Sequence, residues 1–92
     1  MDKKQQLDLM DKIKRELADL QNSQTAILKK VSQISAHNIT LGAEILTEKL
    51  PDLEDNVNAG VGLVSELAES FSAHRDKFFT DNKLGAQVDP TA

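Results

Sequence analysis

Apolar residues recur at alternating spacings of three and four from residue 10 to residue 45. With Met10 as heptad position a, the a row is Met10, Leu17, Gln24, Val31, Asn38 and Ile45, and the d row is Ile13, Leu20, Ile27, Ile34 and Leu41. All of these except Gln24 and Asn38 are apolar. A stripe sustained over this length predicts a long helix that buries one seam against other helices. Residues 10–45 are therefore the expected oligomer or partner interface. Charge pairs at four-residue spacing, such as Asp8 with Lys12 and Asp11 with Arg15, lie off the stripe and read as a solvated face.

The flanks of the seam change along the helix. From residue 21 to 35, Gln21, Ser23, Leu28 and Ser35 stand where charges border a two-stranded coiled coil. With isoleucine at several d positions, this argues against a simple parallel dimer and for a trimer, a tetramer or an intramolecular bundle. Gln24 and Asn38 are read as polar layers that set register. On that reading Asn38→Ile raises thermal stability and blurs the oligomeric state. After Ala36 a second apolar stripe runs through Ile39, Ala43, Leu46 and Leu50, so this part of the helix needs a second neighbour. Gly42 lies between the two stripes and reads as a close approach or a bend.

Leu50-Pro51 is the clearest punctuation. Proline disfavours helical geometry in the residue before it and suits the first position of a new helix, and Asp52, Glu54 and Asp55 follow where the helix dipole favours negative charge. The expected division is a coiled-coil helix over 1–50, a second helix over 51–84 and a disordered tail over 85–92. The second helix packs through Leu53, Val57, Val64, Leu67, Phe71 and Phe78, with small residues such as Ala59, Gly60 and Gly62 inviting close contact. The fold class is all-α, as a helical hairpin or a rod kinked at Pro51, within an oligomeric bundle. A reversal at Pro51 leaves Met10, Ile13, Leu17 and Leu20 beyond the reach of the shorter second helix, so the hairpin form calls for further helices from other chains.

Composition narrows the function. A chain of 92 residues without cysteine has no disulfides or thiolate metal sites, and its only aromatics are three phenylalanines. The formal net charge is −4, with 28% charged residues of both signs, which lacks the basic face a nucleic-acid binder needs. No signal-peptide core or run of membrane-spanning length is seen, so a cytoplasmic protein without stable membrane insertion is expected.

Candidate chemistry is sparse. His37 and His74 are too far apart along a hairpin to share a metal, and the carboxylates around residue 52 lack calcium-loop spacing. The Gly60-Val61-Gly62 phrase follows no strand and lacks the third glycine of a dinucleotide fingerprint, and Asn38-Ile39-Thr40 matches a glycosylation acceptor only by pattern. No catalytic, cofactor-binding or metal residues are assigned. The reading is a non-enzymatic coiled-coil structural or scaffolding protein that self-assembles, with Phe71, Phe78 and Phe79 as an end contact. The alternative is a small adaptor, chaperone or inhibitor that completes a mixed bundle with a different helical protein.

Overall fold

A computed structural model describes residues 1–85. Helix α1 spans Lys3–Leu41 and helix α2 spans Glu44–Asp81, and the two pack side by side in opposite directions. The result is an all-α hairpin with extents of 67 × 22 × 17 Å.

Local chemistry starts α1 firmly. Asp2 accepts a hydrogen bond from the Gln5 amide at 2.7 Å, and the Gln5 side chain accepts one from the Asp2 amide at 3.0 Å, satisfying donors that the first turn leaves open. At the other end Gly42 adopts φ +69°, a left-handed conformation that glycine enters without penalty, and its amide donates to the Asn38 carbonyl at 2.7 Å. Ala43 is extended, and Glu44 opens α2 with a negative charge in its first turn.

The reversal therefore lies at Gly42–Ala43, upstream of the Pro51 position expected from sequence. Pro51 is the eighth residue of α2 and sits inside a continuous helix. A helix starting at Glu44 tolerates it because its ring points to solvent and only the Thr47 carbonyl loses its donor. Ile45, assigned to the end of the first helix, belongs to α2. Moving the turn makes the two helices nearly equal, at 39 and 38 residues, so α2 accompanies α1 over its whole length. The uncovered overhang expected at residues 10–20 disappears. Pro51→Ala should restore the missing backbone bond and raise unfolding free energy by about 1–3 kcal/mol. Urea denaturation measures it, and a loss of stability would show that the proline ring contributes more by packing than it removes from the helix.

The phase of α1 also differs from expectation. The residues turned toward α2 are the a row, with Val31 and Asn38 buried and Met10, Leu17 and Gln24 half-buried, together with Leu7, Lys14, Gln21, Leu28 and Ser35 at position e. Opposite them stand Leu50, Val57 and Val64, all buried, and Phe71 and Phe78, half-buried. Val31, Leu50 and Val57 form the densest cluster, supported by Leu28 and Leu46. At the open end α2 stops at Asp81, Lys83 takes a positive φ of 53°, and Leu84 folds in to 4% exposure. Gly85 lies against the Phe79 ring, where an added Cβ would come within 3.0 Å. The first residue assigned to the tail is thus packed; 86–92 lie outside the described residues.

Polar residues explain the rotation. Gln21 Nε2 donates to Ser65 Oγ at 3.2 Å, the Ser35 hydroxyl donates to the Glu54 carboxylate, and the Arg75 guanidinium grips Asp11 at 2.7 and 3.4 Å. Each of these groups finds a partner on the other helix only when the e side of α1 faces the seam. Gln24 lies over Gly60, where a Cβ would meet its amide nitrogen at 3.3 Å. Asp11 raises the Arg75 pKa above its ordinary value through the hydrogen bond first and its charge afterwards, with Asp76 adding to both. A guanidinium is charged throughout the working pH range.

Candidate interaction surface

Turning the a and e rows inward leaves the d row outside. Leu20 is 43%, Ile27 48% and Leu41 72% exposed, and Ile34 is also on the surface, while Ile13 is half-buried. Helix α2 repeats the arrangement. Counting Leu50, Val57, Val64 and Phe71 as its a row, the d row is Leu46, Leu53, Gly60, Leu67 and His74, with Leu53 and Leu67 about half exposed.

The two d rows emerge on one side of the hairpin. The helices run in opposite senses, and the handedness of the α-helix then displaces corresponding rows toward the same face. The cross-helix polar bonds agree, because Ser35, Glu54, Asp11 and Arg75 occupy e and b positions and all lie on the opposite side. The contacts of Gln24 with Gly60 and Asn38 with Thr47 fix the register. In that register the open face is a ladder: Leu41 at the turn, then Ile34 with Leu53, Ile27 with Gly60, Leu20 with Leu67, and Ile13 with His74, while Leu46 beside Leu41 is half-buried against Val31, Leu50 and Val57. It is apolar from the turn down to Leu20 and becomes polar only at His74. Flat apolar faces of this length are uncommon on chains that remain single.

The interface residues named from sequence therefore separate into two groups. Met10, Leu17, Gln24, Val31 and Asn38 are used within the hairpin, against Val57, Val64, Phe71 and Phe78. Ile13, Leu20, Ile27, Ile34 and Leu41 line the outer face, joined by Leu53 and Leu67. Helix α2 thus packs inward through Val57 and Val64 and presents Leu53 and Leu67 outward, a division that their heptad spacing signals.

Asn38 also holds the turn. Its side-chain oxygen accepts from the Ala43 amide at 2.8 Å and its amide donates to Thr47 Oγ1 at 3.0 Å, so one buried side chain ties the end of α1 to the start of α2. The polar side of the hairpin carries an open groove of about 470 Å³ beside the turn, lined by Ser35, Ile39, Leu46, Leu50, Pro51 and Glu54 among others. Its carboxylate is already engaged by Ser35.

The histidines stand far apart. His37 lies near the turn and His74 near the open end, about 40 Å away along the rod. His74 is exposed, with its ring centroid 5.9 Å from that of Phe71. Phe71, Phe78 and Phe79 gather at the open end, where Lys3 and Arg75 lie over Phe78 and Phe79 at 5.6 and 5.0 Å. They close the hairpin internally. Among the described residues no helix is long and apolar enough to cross a membrane. Comparisons with protein families, characterised proteins and solved structures return no match.

Proposed function

We propose that this protein is a non-enzymatic scaffolding element whose activity is self-assembly through the d face of its hairpin. The single observation that carries the reading is the continuous apolar ladder shared by both helices. From Leu20 to Leu41 it covers about 30 Å of helix. Multiplied by the 22 Å breadth of the hairpin, the face measures about 700 Å² per copy, within the range of about 600–1,000 Å² per partner in a standard stable interface. The need is matched by a weak interior, since no large side chain of the hairpin falls below 2% exposure. Two antiparallel helices alone bury little, and stacking a second pair on the open face completes a four-helix core. The strand number favoured by the seam then comes from two chains, each supplying both of its helices.

Light scattering behind size exclusion, run over a dilution series, tests the reading. The expected mass is twice the 10.1 kDa of one chain and persists on dilution. A well-folded monomer at every concentration overturns self-assembly and moves the d face to a different helical partner, as the adaptor reading requires.

A further inference from the structure

We infer that the second copy docks turn beside turn, about a twofold axis parallel to the rod, with Ile27 of each copy entering the space above Gly60 of the other. The inference rests on the self-assembly reading and adds the arrangement of the partner.

Two twofold axes can bring the d faces together. An axis along the rod lays α1 of one copy over α2 of the other, so each rung of the ladder meets the same rung. An axis across the rod lays α1 over α1 and α2 over α2, running oppositely, so rungs pair end for end about the middle one. That middle rung is Ile27 with Gly60.

The middle rung distinguishes the two arrangements. Gly60 presents no side chain to the face, and a Cβ there would lie 3.3 Å from the amide nitrogen of Gln24 in the same hairpin. With the axis across the rod, Gly60 faces Gly60 and leaves a void, while Ile27 faces Ile27 and crowds its layer. With the axis along the rod, Ile27 faces Gly60 twice, a large residue opposite a missing one. Close-packed cores alternate large and small residues in this way, and voids and overpacking are both destabilising.

The ends of the ladder favour the same choice. The axis across the rod sets the His74 rung against the leucines of the turn and draws an imidazole into an apolar layer. Shifting the pivot by one rung avoids this only by leaving leucines uncovered. The axis along the rod keeps His74 at the open end, beside water, and brings the exposed Leu41 of the two turns to the same end of the interface.

A distance between spin labels tests the arrangement. The chain has no cysteine, so Asp8→Cys, on the exposed outer side of α1 near the open end, gives a single labelling site per copy. In the parallel dimer the labels are separated only by the bundle width, about 30 Å or less for helices packed 8–10 Å apart. With the axis across the rod they stand about 55 Å apart. Labels at Thr40→Cys repeat the test near the turn, short in the first case and about 40 Å in the second. Short distances at both sites support the inference. Long distances at both overturn it and leave self-assembly standing. A monomeric mass without dipolar coupling overturns both.

Discussion

Replacing Asn38 by isoleucine should lower the melting temperature by roughly 8–16 °C, the equivalent of about 2 kcal/mol in a domain of this size. Isoleucine is close in size and better suited to a heptad a position, so a protein in which Asn38 served only as a polar layer would gain stability from the change. The turn reverses the expectation. Asn38 accepts from the Ala43 amide and donates to Thr47 while only 8% exposed. Isoleucine removes both bonds and leaves a half-buried amide at the reversal without its partner, a loss on the order of 1–3 kcal/mol. Asn38→Asp keeps the acceptor and loses the donor, so it should fall between the two. Thermal unfolding followed by circular dichroism orders the three proteins. A rise in melting temperature for isoleucine would return Asn38 to the seam of an assembly and remove it from the turn.

The second large effect belongs to Ile27→Lys. The side chain stands at the middle of the d face, 48% exposed, and makes little of the hairpin's own interior, so a lysine there leaves the two helices in place. In a dimer the same lysine enters an apolar layer without a partner charge. The expected result is a monomer that retains its helical circular dichroism, with dimer affinity weakened at least about 100-fold, or about 3 kcal/mol. Ile39→Lys is the control. Ile39 is 86% exposed but projects on the opposite side, beside the groove at the turn. Its replacement should leave the mass unchanged. Loss of the dimer through Ile39 and not through Ile27 would move the interface to the groove side and end the d-face reading.

These two positions show how much could be read from the chain. A stripe at three-four spacing means long packed helices, and the all-α class follows from it, whereas the choice between a hairpin and a kinked rod does not. Its partner is not specified by spacing: Val31 and Ile27 are equally apolar and both in phase, yet one is buried in the hairpin and the other lies outside. The choice was made by Gln21, Ser35 and Asp11, whose bonds to Ser65, Glu54 and Arg75 exist only in one rotation of α1. Those long-range pairs are invisible until the helices are placed side by side. The turn was misplaced for a related reason. Pro51 is the louder local signal, whereas Gly42 needs Asn38, Ala43 and Thr47 around it before its left-handed conformation closes a reversal. The balance of lengths could have decided it, since only a turn near the midpoint lets two long stripes cover each other.

That balance has a consequence for what the rod can hold. Because α1 and α2 are matched in length, residues 1 and 85 leave the molecule at the same end, and the turn stands alone at the other, nearly the full 67 Å away. A load attached at residue 1 or residue 85 is therefore carried at one pole, and the opposite pole presents Leu41, Gly42 and Ala43 to whatever it meets. Two such rods laid turn to turn would make a strut with four tethers at its base and a blunt apolar tip, so its span would be set by helix length and could be changed only in whole heptads added to both arms.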